Sequence, residues 1–308
     1  MAAPAWWRLE LDDVGELEES LLWKLPQLGI PRVAVQFSPR TPERRRLLAW
    51  LPEIDWPDLQ RRELERALAP LAEPFGRPLP ALEWQRQPDE DWNRSWKRHW
   101  QPDPVGERLL ILPAWLEPPA EHDGRLVIRM DPGSAFGTGS HPTTRLCLEA
   151  LEAEATARGG SLAGLRVADL GCGSGVLALA ALRLGASTAL AVDTDGLAVR
   201  ATAANAALNH LEPAITVAQG SADRLDALLD GQPADLLLCN ILAPVIEALA
   251  PAFAALLAPG GRGLLSGLLV DQAPALEAVL APLGWRSVLA ASQDRWGLMT
   301  LDWRSDVS

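Results

Sequence analysis

The hydrophobic and polar positions from residue 106 onward alternate between short apolar runs and segments with helical spacing. A short apolar run predicts a buried strand, and apolar residues every three or four positions predict a helix. Repeated β-α-β units predict an α/β fold with a doubly wound, mostly parallel Rossmann-like sheet, whose ligands bind at the carboxyl ends of the strands. The predicted strands include Arg166–Leu170, Thr188–Val192, Asp235–Leu238 and Gly263–Leu269, and the predicted helices include Gly175–Leu184, Gly196–Leu208, Val245–Leu256 and Ala273–Leu283.

Residues 1–86 have a different pattern, which predicts a small α+β domain. Strands are expected at Trp6–Leu11 and Arg32–Phe37. Helices are expected at Gly15–Leu25, Glu43–Leu51 and Leu59–Leu68, and the last of these repeats apolar residues at helical spacing.

A linker is predicted over residues 87–105, between two Gln-Pro-Asp segments. It contains Trp92, Trp96 and Trp100, whose spacing of four places them on one face of a helix. That face either packs on a domain or stacks on a ligand. The predicted domains are therefore 1–86, a linker helix within 87–105, and 106–308.

The composition excludes several classes of protein. The 308 residues contain no long uncharged apolar stretch, so we expect no membrane span, and the N-terminal residues lack the pattern of a secretory signal. The three cysteines are widely separated, which predicts neither disulfides nor a zinc site and suits a cytoplasmic protein. No metal site is expected.

The formal net charge is −12, and most of it lies after residue 86. An acidic surface repels the phosphates of nucleic acids and attracts basic partners. We therefore expect no direct nucleic-acid binding. A basic protein substrate fits this charge, although the charge could equally serve solubility.

The segment Val167–Gly175 carries the most specific chemistry, because an apolar run enters a turn with glycines at 171, 173 and 175. A second run ends at Asp193, whose carboxylate could accept hydrogen bonds from ribose hydroxyls. The turn reads G-x-G-x-G, and Val176 stands where a dinucleotide site needs a third glycine. This spacing favours S-adenosylmethionine, while a nucleotide remains the alternative.

Two further segments contribute candidate residues. Asp131–Thr144 is rich in glycine, proline and hydroxyl residues, which predicts a shaped loop before a helix. A hydroxyl at that helix start, such as Thr144, either caps the helix or binds the ligand. Asn240 ends a buried strand, where it either binds the methionine part or an amine substrate, or caps the next helix. Cys172 and Cys239 are expected to be buried fillers, and His141 shows no partner that would make it a base.

These segments resemble the ribosomal protein L11 methyltransferase (PrmA) family. The resemblance rests on Asp131–Thr144, Asp169–Gly175, Val192–Asp195 and Asn240–Leu242, with Trp96 and the run 106–113 in addition. It implies a class I methyltransferase domain preceded by a small ferredoxin-like domain that recognises the substrate. The extra residues around Gly159 and Gly160 depart from the family and indicate a longer surface loop.

The resemblance also implies the function and the site. It implies a cytoplasmic, S-adenosylmethionine-dependent protein-lysine N-methyltransferase whose substrate is ribosomal protein L11, methylated on lysine side chains and the N-terminal α-amine. The cofactor residues it implies are Thr144, Gly171, Gly173, Asp193 and Asn240, with Asn240 also at the reacting centre. The alternatives are a lysine methyltransferase with another protein substrate, a non-catalytic adenosine-ligand-binding protein and a nucleotide-dependent oxidoreductase.

Overall fold

Buried apolar strands organise the chain into sheets in the computed structural model, which describes residues 5–30, 32–38, 41–88, 100–131 and 141–303. These residues divide into two compact units, within Met1–Gln101 and Pro102–Ser308. Residues 92–99 of the predicted linker helix and residues 132–140 of the predicted loop lie outside the described residues. Within the described residues, no helix has the length and apolar character needed to cross a bilayer.

The described residues of the first unit form a four-stranded antiparallel sheet with two α-helices. Its chain order is β-α-β-β-α-β and its strand order is β2-β3-β1-β4, which is the ferredoxin-like arrangement. Leucines of β1 and β3 pack against leucines of α1 and α2 in one core. The elements are β1 (Ala5–Leu11), α1 (Glu18–Gln27), β2 (Val33–Ser38), β3 (Thr41–Pro52), α2 (Asp58–Leu68) and β4 (Glu83–Pro88), with 3-10 turns at Gly15–Leu17, Glu53–Asp55 and Ala69–Phe75.

The predicted helix Glu43–Leu51 is wrong, because this segment is the central strand β3. β3 pairs with β1 on one side and β2 on the other, and its residues 47–51 are all buried. Leucine, alanine and arginine favour helices locally, but pairing on both sides and burial of both faces outweigh that preference. β4 was missed altogether, because its residues 83–88 are mostly polar and carry a weak strand signal.

The second unit contains a seven-stranded sheet in the order β10-β9-β8-β11-β12-β14-β13. Neighbours are parallel from β10 to β12, and β14 is antiparallel to both of its neighbours. A second sheet, β5-β6-β7, joins an antiparallel and a parallel pair. The strands are β5 (Asp103–Val105), β6 (Leu109–Pro113), β7 (Leu126–Met130), β8 (Arg166–Leu170), β9 (Thr188–Asp193), β10 (Ile215–Gln219), β11 (Ala234–Asn240), β12 (Leu257–Leu269), β13 (Trp285–Gln293) and β14 (Trp296–Trp303).

Helices cover both faces of the seven-stranded sheet, so successive residues of β8 and β11 are buried in opposite cores. This explains why both strands are nearly continuous apolar runs. The doubly wound α/β prediction is therefore confirmed. The helices are α3 (Pro142–Ala157), α4 (Val176–Arg183), α5 (Gly196–Leu208), α6 (Ala222–Leu229), α7 (Ala243–Leu249), α8 (Phe253–Leu256) and α9 (Ala273–Leu280), with 3-10 turns at Ala120–His122, Glu212–Ala214, Ala250–Ala252, Val270–Gln272 and Ala281–Leu283.

Two helix predictions in this unit need correction. The predicted helix Val245–Leu256 is two helices, α7 and α8, separated by a 3-10 turn at Ala250–Ala252. Pro251 lies in that turn and has no N–H to continue an α-helix. The predicted helix Ala273–Leu283 is also shorter than expected. Its α-helix ends at Leu280, and the last three residues form a 3-10 turn around Pro282.

Candidate active site

Strand register brings three candidate residues to one level of the sheet. β8 lies between β9 and β11, with Leu170 opposite Val192 and Asp169 opposite Leu238. The next residues along these strands are Gly171 after β8, Asp193 at the end of β9 and Asn240 at the end of β11. The helices that follow β8 and β11 pack on opposite faces, so this edge is a topological switch point, where ligands bind in such sheets.

The glycine turn depends on left-handed backbone that side chains disfavour. Gly171, Gly173 and Gly175 have φ values of 81°, 54° and 81°. A Cβ at Gly171 would collide with the Ile241 side chain, and one at Gly175 would lie 2.6 Å from Thr202 Cγ2. The turn therefore combines strained backbone with close packing, and both require glycine.

Asp193 fixes the turn to the neighbouring strand end. Its Oδ2 accepts a hydrogen bond from Gly173 N at 2.9 Å, and its Oδ1 accepts one from Asp195 N at 2.9 Å. Each carboxylate oxygen can accept a second hydrogen bond. The half-buried Asp193 is therefore held in one orientation and retains acceptor capacity.

Thr144 and Asn240 meet across the site although 96 residues separate them in the chain. Asn240 Nδ2 donates to Thr144 Oγ1 at 3.3 Å, and Thr144 is fully buried. Asn240 Oδ1 is buried and has no hydrogen-bond partner among the described residues. A buried acceptor of this kind is costly unless a donor satisfies it, which points to a ligand or substrate N–H.

The capping alternatives for these residues are excluded. His141 caps α3, since its Nδ1 accepts from Thr143 N at 3.2 Å, and the buried imidazole also packs edge-on against Trp296. The N-cap of α7 is Leu242, without a side-chain hydrogen bond, so Asn240 does not cap that helix. Thr144 and Asn240 are thus free of the structural roles that the sequence left open.

Asp169 is a site residue that the sequence reasoning did not single out. It lies in β8 with 1% of its surface exposed, and burial raises the pKa of its carboxyl to about 7. The Ala178 N–H donates to Oδ2 at 3.2 Å and opposes that rise, while the negative charge of Asp193 adds to it. Oδ1 has no partner among the described residues. An acid inside an apolar strand, two residues before a glycine turn, was the available signal.

Two polar residues of α5, Thr202 and Asn205, were also missed. Thr202 Oγ1 donates to Gly173 O at 2.9 Å, and Asn205 Nδ2 donates to Ser174 O at 2.9 Å. Both side chains are buried in a helix that otherwise consists mostly of alanine. Their spacing of three residues, on one helical face, could have identified them.

The two cysteines near the site are buried packing residues. Cys172 and Cys239 are free and buried, and burial raises the pKa of each thiol far above its usual range. The described residues contain no cluster of three or more potential metal ligands.

Comparisons with known proteins agree with this geometry. The family model described as ribosomal protein L11 methyltransferase (PrmA) matches residues 5–303. A ribosomal protein L11 methyltransferase of Synechococcus sp. strain RCC307 is 65% identical over 300 residues, which cover 97% of this chain and 98% of the relative. One of Prochlorococcus marinus strain MIT 9303 is 59% identical over 304 residues, covering 98% and 99%.

A solved structure extends the similarity to three dimensions. It is described as the ribosomal protein L11 methylase of Lactobacillus delbrueckii subsp. bulgaricus. It is 31% identical, superimposes with a TM-score of 0.57, and covers 67% of this chain and 100% of its own. The sequence and fold comparisons therefore agree on one family.

Asp169 gives a stability prediction with a definite sign. Between the ordinary pKa of 3.8 and about 7, the unfolded chain loses this proton while the folded chain keeps it. The contribution of Asp169 to wild-type stability therefore falls as pH rises through this window. We expect Asp169→Asn, which has no proton to lose, to gain about 1–3 kcal/mol on the wild type between pH 4.5 and 8. Urea unfolding at several pH values measures this difference, and a constant difference would show that Asp169 ionises normally.

Proposed function

The chain belongs to the ribosomal protein L11 methyltransferase family, and we propose that it transfers methyl groups from S-adenosylmethionine to lysine side-chain amines and the N-terminal α-amine of ribosomal protein L11. The observation that carries this proposal is the meeting of the glycine turn, Asp193 and the Thr144–Asn240 pair at one sheet edge. The family match over both units supports the substrate.

The side chains at this edge fit S-adenosylmethionine better than a dinucleotide. The Asp193 carboxylate lies beside the turn and would repel a pyrophosphate. Acidic groups instead favour a sulfonium and an ammonium group. Val176 is the first residue of α4, where the dinucleotide fingerprint has its third glycine for close packing of helix on strand.

Each candidate residue has a distinct role toward the cofactor. Asp193 would accept hydrogen bonds from the ribose hydroxyls through its remaining lone pairs, and Gly171 and Gly173 would let the backbone approach the cofactor. Thr144 would contact the amino-acid portion of the cofactor. Asn240 would lie where the methyl group and the substrate amine meet.

In methyl transfer, the amine nitrogen forms a bond to carbon while the carbon–sulfur bond breaks with its electron pair on sulfur; S-adenosylmethionine supplies this activated methyl. A lysine must be neutral first, and its ordinary pKa is about 10.4. Asn240 Oδ1, the buried acceptor, would hold an N–H of the neutral amine and so aim its lone pair. Removal of the amine from water lowers its pKa, and alignment supplies much of the acceleration.

The first unit would recognise the protein substrate. Every cofactor residue proposed here follows residue 130, and the ferredoxin-like unit contributes none of them. The acidic charge of the chain suits a basic protein and disfavours direct contact with nucleic acid. We place the reaction in the cytoplasm, since free, buried cysteines suit a reducing compartment.

The direct test is incubation of the chain with methyl-labelled S-adenosylmethionine and total ribosomal proteins. We expect one dominant labelled protein, identified by mass spectrometry as L11, with label on lysine and N-terminal amines. Label on a different protein would retain the methyltransferase activity and reject the substrate. Cofactor binding without any labelled protein would favour a non-catalytic binding protein.

Asp193 should dominate the affinity for the cofactor. Asp193→Ala removes charge-assisted hydrogen bonds worth about 1.5–3 kcal/mol each, so the Kd of S-adenosylmethionine should rise at least about tenfold. The matched control is Asp195→Ala, which removes a neighbouring carboxylate that caps α5 through Leu197 N. Calorimetry on both folded variants decides, and equal affinities would reject the ribose role of Asp193.

Substitutions of Thr144 and of Asn240 should change different steady-state parameters. Asn240→Ala should lower kcat at saturating cofactor by about tenfold or more, because the amine loses its acceptor. Thr144→Ala should mainly raise the KM for S-adenosylmethionine, and Thr144→Ser, which keeps the hydroxyl, should resemble the wild type. An unchanged kcat in Asn240→Ala would remove this residue from the reacting centre.

Truncation separates the proposed roles of the two units. A chain of residues 89–308 begins after β4 and retains every proposed cofactor residue. We expect it to bind S-adenosylmethionine with near wild-type affinity and to lose methylation of intact L11. Full activity on L11 would show that the ferredoxin-like unit does not recognise the substrate.

A further inference from the structure

We propose that Asn205 is a positioning residue for the cofactor, because its side-chain amide fixes the glycine turn to the end of β7. This inference rests on the proposed cofactor, and it concerns a residue that does not need to touch that cofactor. Asn205 would act through the backbone of Ser174.

The side chain of Asn205 forms hydrogen bonds in two directions. Its Nδ2 donates to Ser174 O at 2.9 Å, and its Oδ1 accepts from Asp131 N at 2.9 Å. The residue is 1% exposed, so water does not compete for these bonds. One amide therefore connects the glycine turn after β8 with the residue that follows β7.

Thr202, one helical turn earlier, strengthens the same connection. Its hydroxyl donates to Gly173 O at 2.9 Å, next to the carbonyl that Asn205 holds. Two consecutive carbonyls of the turn are thus directed toward α5. Because each peptide unit is planar, fixing these carbonyls also fixes the N–H groups that follow them. The shape that the turn offers a ligand therefore depends on α5.

Asn209, one turn later, provides a natural comparison. It is also a buried asparagine, 2% exposed, and it is the C-cap residue of α5. Its Nδ2 donates to Arg129 O at 2.7 Å and its Oδ1 accepts from Arg129 N at 2.9 Å. Asn209 therefore holds β7 as Asn205 does, and its hydrogen bonds do not reach the glycine turn.

Loss of Asn205 would leave the Ser174 carbonyl without this donor in a dry environment. Such a group is costly, so the turn would move to find another partner. The cofactor would then have to restore the original turn when it binds. Loss of Asn209 should lower the stability of the fold to a similar extent. It should not weaken cofactor binding, because the glycine turn keeps its conformation.

The test compares Asn205→Ala with Asn209→Ala in the full chain. Thermal unfolding measures stability, and calorimetry measures the Kd of S-adenosylmethionine. Both variants should be destabilised to a similar extent. The Kd should rise at least about fivefold in Asn205→Ala and stay within about twofold in Asn209→Ala. At saturating cofactor, kcat of Asn205→Ala should stay close to the wild-type value.

The wild-type titration separates this inference from the proposed function. A wild-type chain that does not bind S-adenosylmethionine overturns the cofactor assignment itself. Wild-type binding with equal Kd values in the two variants overturns the role of Asn205 alone. A selective rise in Kd, with kcat preserved, supports it, since a purely structural role would affect both variants alike.

A second measurement uses the wild-type chain and does not require a variant to fold. Hydrogen exchange by NMR reports the amide of Asp131, which Asn205 holds, and the amide of Arg129, which Asn209 holds. Cofactor binding should slow exchange at Asp131 by about tenfold or more and at Arg129 by much less. Equal slowing at both amides would contradict a coupling through Asn205.

Discussion

The hydrogen bond from Gly173 N to the carboxylate of Asp193 is the contact on which the site depends. It joins the turn after β8 to the end of β9, and both oxygens of the carboxylate are already oriented by backbone N–H groups. A carboxylate fixed in this way does not have to be reoriented when a ligand binds. Preorganisation of this kind lowers the entropic cost of binding, so the fold contributes directly to affinity.

Parallel strand pairing makes this contact possible. Asp193, Gly171 and Asn240 come from distant parts of the chain, and the register of β8, β9 and β11 places them at one edge. The helices on both faces bury these strands and hold the register, since a slip would move every apolar side chain to the wrong core. The sheet is therefore the support of the site, and the residues beyond the strand ends supply its chemistry.

The sequence predicted the catalytic sheet well, because buried parallel strands and alternating helices leave strong periodic signals. Arg166–Leu170 and Gly196–Leu208 were predicted with the bounds that the structure shows. The predictions failed where tertiary contacts outweigh local preference. The local sequence of β3 predicts a helix, and only its pairing with β1 and β2 makes it a strand. The sequence of β4 is too polar to predict a strand.

Sequence predicts the residues of the site that have local signals and misses those defined by tertiary contacts. Glycines and an acid at strand ends are visible in sequence, and so is the family pattern. Side chains that act through other residues are not, because their partners are distant backbone atoms. Asp169 interacts with Ala178, and Thr202 interacts with Gly173, so their roles appear only when the turn is folded. The sequence alone could not exclude a capping role for Asn240. The structure excludes it, because α7 begins after Leu242.

A crystal structure with S-adenosylhomocysteine bound would test the central claim most directly. We predict that the ribose hydroxyls lie within hydrogen-bond distance of the Asp193 carboxylate and that the sulfur lies on the side of Asn240. The backbone from Gly171 to Gly175 should keep the conformation described here. A ligand bound elsewhere, or a turn that has to refold around it, would contradict the view that Asp193 preorganises this edge of the sheet for an adenosine cofactor.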